Sequence, residues 1–200
     1  IIGEINMNIY DFDDTIYNGD TNRDIIVYGF KKHPFLVLKA LKKANKLQKE
    51  YKNGLVEFER VKEALLSFIF HIKNYPKFIN DFVDSHMKKI KPWYISRKSD
   101  NDIIISASYE IWIMQFCRRL GIKYVIATKT DSDGRIIGKN CKGAEKLKRL
   151  ANVIPNAVIV SAYSDSSCDI PILESARTGY VVEGNKLITY TKGYKFKNNN

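Results

Sequence analysis

Hydrophobic and polar positions change period twice along the chain. Asn6 to Tyr10 has the length of a short buried strand and runs directly into acidic residues Asp11, Asp13 and Asp14. From Asp20 to about Lys91 the signals are helical, over 24–30, 35–50 after Pro34, 57–72 and 76–90. In the third segment Phe58, Val61, Leu65, Phe68, Ile69 and Ile72 fall at steps of three and four. In the fourth, Ile79, Phe82, Val83, Met87 and Ile90 do the same.

After Pro92 and Trp93 short apolar runs alternate with amphipathic ones. The pattern predicts a strand over 102–106, a helix over 109–120 closed by Gly121 and a strand over 122–127. Further on it predicts a hairpin over 129–138 turning at Asp133-Gly134, a helix over 143–152 and a strand over 157–161. A helix over 170–178 and a last strand over 180–182 complete the series, and the tail KFKNNN reads as frayed. Such alternation implies an α/β fold, a parallel sheet covered on both faces, with a four-helix insertion after the first strand. The expected division is 1–17 with 92–200 as core and 18–91 as the insertion.

Composition narrows the class. Two hundred residues with 44% hydrophobic content suit one domain, or a core with a modest insertion. No apolar run approaches a membrane span and no export signal is evident, so a cytoplasmic protein is expected. Ile1 to Asn6 precede Met7, the expected natural start. Cys117, Cys141 and Cys168 lack disulfide or zinc-ligand spacing and read as reduced thiols. Lys and Arg number 33 against 22 Asp and Glu, a net charge of +11 that favours anionic partners. The lysines are spread over several helices and no nucleic-acid motif accompanies them. A nucleic-acid-binding protein remains the rival from another class, and it predicts strongly salt-dependent binding. The segment 35–50 carries a stripe of Leu38, Leu41, Ala44 and Leu47 among lysines, which suits a helix with one buried face or a peripheral contact with an anionic membrane.

In a parallel sheet, groups that act together gather at the carboxyl ends of strands. Three predicted strand ends carry polar groups here: Asp11 and Asp13, Ser106, and Asp165 with Asp169. Alone, Asp11-Asp13-Asp14 reads as a turn or a helix cap. With the other aspartates it suits a hard divalent cation such as Mg²⁺, held by Asp11 and Asp165. A carboxylate held in this way can attack phosphorus, and Asp13 can protonate the leaving oxygen and later deprotonate water. Ser106 offers a hydroxyl, and a lysine near the start of the Gly143 helix offers positive charge. Asp131-Ser132-Asp133-Gly134 reads as a turn rather than a calcium loop. His33, His71 and His86 share no ligand spacing, and Phe58, Phe68 and Phe70 are expected in the core of the insertion.

These residues, in this order, resemble the haloacid-dehalogenase-like phosphatase superfamily. DFDDT is similar to its first motif, IIISAS to its second, NCKGAEKL to its lysine motif and YSDSSCDIPILESA to its acidic fourth motif. The helical insertion resembles the cap of the phosphoserine-phosphatase-like branch, and the resemblance implies a Rossmann-like three-layer core. It implies Asp11 as nucleophile, Asp13 as acid and base, and Mg²⁺ on the Asp11 carboxylate, the Asp13 carbonyl and Asp165, with Asp169 in support. Ser106, Thr15 and a lysine would hold the phosphoryl group. Cys141-x-Gly143-x-x-Lys146 resembles the pattern of a branch that includes phosphatidylglycerophosphate phosphatases and favours Lys146; the spacing in phosphoserine phosphatases favours Lys142 instead. Asp14 stands where many members have glycine, and Asp20 where phosphoserine phosphatases carry a glutamate that reads the substrate's amino group. Asp20 is therefore a candidate substrate contact, and Arg60 in the insertion reads as a surface arginine or a contact for a substrate carboxylate or second phosphate. The implied activity is Mg²⁺-dependent hydrolysis of a small phosphomonoester resembling phosphoserine, with a lipid head group such as phosphatidylglycerophosphate as the alternative.

Overall fold

The computed structural model describes residues 5–197; the reading of Ile1–Glu4 as preceding the natural start and of Asn198–Asn200 as frayed lies outside them. A six-stranded sheet in the order β3-β2-β1-β4-β5-β6 forms the middle layer. Its strands are β1 (Ile5–Tyr10), β2 (Asp102–Tyr109), β3 (Tyr124–Thr128), β4 (Ala157–Ser164), β5 (Thr178–Glu183) and β6 (Lys186–Thr189). The first five are mutually parallel and β6 pairs antiparallel with β5.

The period of two decides which face each side chain meets. In β1, Met7 and Ile9 join Ile103 and Ile105 of β2 on one face, covered by α7 (Ala144–Val153) and α8 (Ile170–Ser175). Tyr10 and Ile104 point to the other face, covered by α6 (Glu110–Leu120) and the helices between β1 and β2. Both faces are thus buried, which makes the α/β three-layer reading correct.

The inserted helices are α1 (Thr21–Lys32), α2 (Pro34–Lys52), α3 (Phe58–Leu66) and α4 (Tyr75–His86), followed after a short turn by α5 (Pro92–Ile95). The third and fourth expected helices end early in 3-10 turns, Ser67–His71 and Met87–Lys89. α1 begins three residues earlier than its apolar pattern, because the Asp20 carboxylate accepts from the backbone N–H of Asn22 at 2.7 Å and of Arg23 at 3.2 Å. Gly29 lets α1 lie against Phe68; a Cβ there would stand 2.3 Å from the ring.

Other expectations need correction. Thr178 belongs to β5 rather than to the preceding helix, which ends at Ser175, and β6 was missed. The tail is anchored as far as it is described: Phe196 is buried on the Met7 and Ile9 face of the sheet and Lys197 pairs with Glu183. On α2 the buried stripe is Val37, Ala40 and Ala44, while Leu38 is 51% exposed. Over 129–138 a single antiparallel bridge, Thr130 to Ile136, closes a turn in which Asp131 accepts from the N–H of Asp133 and Arg135.

Candidate active site

β1 is flanked by β2 on one side and β4 on the other, so the chain leaves its carboxyl end where successive connections diverge. The Asp11 N–H extends the pairing to the Tyr163 carbonyl at 2.9 Å. The chain then turns back, with the N–H groups of Ile16 and Tyr17 bonded to the Phe12 carbonyl at 3.0 and 2.9 Å. Phe12 is wholly buried and pins that turn from below. Asp14 adopts a left-handed conformation with φ 51°. Glycine suits that conformation best, and aspartate is one of the few other residues that tolerate it.

Lys146 lies in the first turn of α7, 2% exposed, and its ammonium donates to Asp11 Oδ1 and Asp169 Oδ2, each at 2.6 Å. Ser164 donates to the same Asp169 oxygen at 2.8 Å. Burial alone would depress the lysine's pKa, but the charges of Asp11 and Asp169 more than reverse this and hold it protonated, above its ordinary value. Burial pushes Asp11 up to about 6 against the pull of Lys146.

Asp13 has different surroundings. One carboxylate oxygen accepts from the Thr21 N–H at 2.6 Å, at the start of α1, and the other from the Ser108 hydroxyl. Ser108 also takes bonds from Thr21 Oγ1 at 3.0 Å and Asn22 Nδ2 at 2.7 Å. Burial, then the charge of Asp20, raises Asp13 to about 7, while Ser108 and the Thr21 N–H work in the opposite direction. A carboxyl with a pKa near neutrality is suited to give and take a proton.

Thr15 stands between Asp11 and Asp165, with its hydroxyl 3.3 Å from Asp11 Oδ2 and 3.2 Å from Asp165 Oδ1. It accepts from the Asp165 N–H at 3.1 Å. One hydroxyl proton can serve only one carboxylate at a time. Burial, followed by repulsion from Asp11 and Asp14, raises Asp165 to about 7. Two oxygen donors that repel each other fit a hard cation, which would relieve the repulsion. Among the described residues no group of three or more His, Cys, Asp or Glu is arranged to hold a metal unaided. The fit is therefore to an ion held by two carboxylates, with backbone, water or ligand oxygens completing its shell.

These groups open into a cleft of about 470 Å³ beneath the inserted helices. Asp11, Asp13, Asp20, Lys142, Lys146, Asp165 and Asp169 all line it. Of the two candidate lysines, Lys146 reaches Asp11, whereas Lys142 is exposed. Thr15 and Ser106 are wholly buried, and this alters their expected place around a phosphoryl group. Thr15 links two carboxylates, and the Ser106 hydroxyl accepts from the Ser108 N–H at 3.0 Å. Arg60 is also corrected: it pairs with Glu63 on its own helix at 2.7 Å and does not line the cleft. Phe68 is buried in the helical layer as expected, but Phe58 is 43% exposed and lines the cleft.

Sequence reasoning missed Lys62 and Ser108. Lys62 is 8% exposed; its ammonium donates to the Ala107 carbonyl at 2.6 Å and to Asn140 Oδ1 at 2.8 Å, and lies over the Tyr109 ring. Burial lowers its pKa to about 8, although Asp13 and Asp20 oppose the shift. Two more bonds join α3 to the loop after β3, from the Asn140 N–H to Glu59 and from the Ile136 N–H to Glu63. A signal for Lys62 was present. At 100° per residue it falls within the apolar arc between Leu65 and Leu66, where a lysine has no reason to be unless it has a partner. Ser108 follows Ser106 at the strand period, and β2 runs three residues beyond the predicted end.

A model of the haloacid dehalogenase-like hydrolase family matches residues 9–174, as the resemblance of the four motifs implied. Histidinol-phosphatase of Neisseria meningitidis serogroup C (strain 8013) is 25% identical over 195 residues, covering 84% of this chain and 86% of the relative. A solved structure of a protein with unknown function from Bordetella pertussis Tohama I superposes with a TM-score of 0.70 at 17% identity, over 88% of this chain and 89% of that one. A phosphoserine phosphohydrolase-like protein from Francisella tularensis subsp. tularensis SCHU S4 gives 0.53 at 19%, over 87% and 85%. At those identities the two structures speak for the fold alone. No helix among the described residues is long and apolar enough to cross a membrane. Because the family model spans more than half of its length, the chain belongs to the haloacid dehalogenase-like hydrolases.

Proposed function

We propose that the protein is a phosphomonoester phosphatase, Mg²⁺-dependent, acting on a small phosphorylated metabolite through an aspartyl-phosphate. The observation that carries this reading is the pair Asp11 and Asp13. Both open into one cleft, one against the Lys146 ammonium and the other on neutral donors. In the first step an Asp11 carboxylate oxygen bonds to phosphorus, the ester P–O bond breaks, and Asp13 gives its proton to the departing alkoxide. In the second, Asp13 takes a proton from water as that water attacks phosphorus, which frees phosphate and restores Asp11. Asp11 and Asp165 would hold Mg²⁺, which supplies charge to neutralise the phosphoryl oxygens. Lys146 keeps Asp11 oriented and ionised. Ser106, buried and bonded to the Ser108 N–H, would support the strand end at Ala107 that lines the cleft.

Residues 18–91 would act as the cap that closes the cleft and excludes water from the first step. The histidinol-phosphatase relative supports an alcohol phosphate of metabolite size, and Asp20, with its second carboxylate oxygen available beside the cleft, is suited to a cationic substituent. One observation favours peripheral contact with anionic lipid. Phe35 is 85% and Leu38 51% exposed, on the same outward face of α2 as Lys39, Lys42 and Lys46. Hydrolysis of para-nitrophenyl phosphate with and without Mg²⁺ tests the main reading. Activity should require the ion and vanish in Asp11→Asn; a full rate in that variant, or none in the wild type with metal, defeats it.

A further inference from the structure

The cleft has two unlike sides. Aspartates and Lys146 form its floor, whereas α3 presents Phe58, Val61, Leu65 and Leu66 from above. Val61 and Leu66 are buried and serve as backing; Phe58 and Leu65 still offer surface. Tyr51, at the end of α2 and 40% exposed, meets Phe58 edge to face with ring centroids 5.7 Å apart, so an aromatic rim continues the wall outward. The one charged side chain that α3 contributes to the cleft is Lys62, and its ammonium is bound to Ala107 and Asn140.

A phosphoryl group on the floor therefore directs its alcohol portion at an apolar ceiling. A hydroxyl-rich or carboxylate-bearing alcohol would lose water there and find no replacement donor on α3, a net loss for each group stripped. A ring gains from the same contact by area removed from water, and rings pair well edge to face or offset. We infer that the physiological substrate is a phosphomonoester of an alcohol bearing a flat, largely apolar ring, received by Phe58 and Leu65. Asn22, Gln48 and Asp20, which also line the cleft, leave room for one polar substituent on or beside that ring. This inference rests on the phosphatase reading of the same cleft.

The test compares kcat/KM for 2-phenylethyl phosphate, glycerol 3-phosphate and phosphoserine with Mg²⁺ present, all three being alkyl esters of similar intrinsic reactivity. The ring substrate should lead by about tenfold or more. Phe58→Ser and Leu65→Asn, both at positions with exposed surface, should each shrink that ratio severalfold. Equal or higher kcat/KM for glycerol 3-phosphate or phosphoserine, or a ratio untouched by both variants, overturns the inference while leaving a phosphatase. A folded chain that hydrolyses para-nitrophenyl phosphate but none of the three overturns the inference alone, and one that hydrolyses none of the four overturns the phosphatase reading with it.

Discussion

The Lys62 ammonium crosses from α3 to the Ala107 carbonyl at 2.6 Å, between Ser106, whose hydroxyl closes the strand end, and Ser108, which bonds Asp13. Thr128 donates a hydroxyl either to that carbonyl, at 2.6 Å, or to Asn140 Oδ1, at 2.9 Å, and has one proton for both. The lysine has three protons and serves both acceptors at once. It therefore couples the position of the inserted helices to the end of β2, where Ser108 orients Asp13.

Replacing it should separate activity from stability. Lys62→Met keeps the stem and removes a buried charge, so thermal stability near neutral pH should hold or rise. Turnover should fall about tenfold or more because the end of β2 at Ala107 loses its anchor to α3. The pH dependence gives a second reading. The folded pKa of about 8 lies below the ordinary 10.5, so between those values the unfolded chain binds more protons and stability rises with pH. Denaturant titrations should show the wild type gaining on Lys62→Met across that window. A constant difference from pH 7 to 10 would contradict the burial of a charged amine.

Asp13→Asn should divide the two chemical steps. Para-nitrophenolate leaves without being protonated, so the first step survives, while activation of water is lost. A burst of about one equivalent of para-nitrophenol followed by slow turnover is expected from stopped-flow absorbance. Linear kinetics with near wild-type turnover would remove Asp13 from the proton transfers.

Much of this site was legible because its residues sit at strand ends and strand ends are periodic. Asp11, Asp13, Asp165 and Asp169 fall just beyond apolar runs and are together in the structure. The resemblance at Cys141-x-Gly143-x-x-Lys146 alone favours Lys146 over Lys142; in α7 Lys146 and Leu150 share the buried side at a spacing of four. What escaped was set by tertiary partners. β6 has only four residues and is fixed by pairing with β5. Lys62 lies in the apolar arc of α3, but its partners, the Ala107 carbonyl and Asn140, come from β2 and the loop after β3. Phe58 obeys the helical period of α3, yet that period says only which side it faces, and here a cleft lies on that side.

Asp14 is the exposed member of the opening cluster, left-handed at φ 51°, and its charge helps to raise Asp165. Asp14→Gly removes both the side-chain strain and that charge. Thermal unfolding should shift upward by the equivalent of about 1 kcal/mol or less, since glycine's greater freedom when unfolded offsets part of the gain. A loss of several kcal/mol would mean that the carboxylate holds something in the fold.

Lys146 presents the opposite case, a charge whose removal leaves two others stranded. It is the ammonium shared by Asp11 and Asp169, and both carboxylates are enclosed with it. Lys146→Met should therefore destabilise the fold by about 3–5 kcal/mol, because breaking a buried network at one member leaves uncompensated charge. Adding Asp169→Asn removes one of the stranded charges and should recover part of that loss, a coupling that a double-mutant cycle in denaturant measures directly. Activity should not return with stability, since Asp11 still lacks the partner that keeps it ionised. If the double variant's loss of stability equalled the sum of the losses in Lys146→Met and Asp169→Asn, the two residues would act independently and the shared network would be refuted; if it regained turnover, the lysine would have no part in the chemistry.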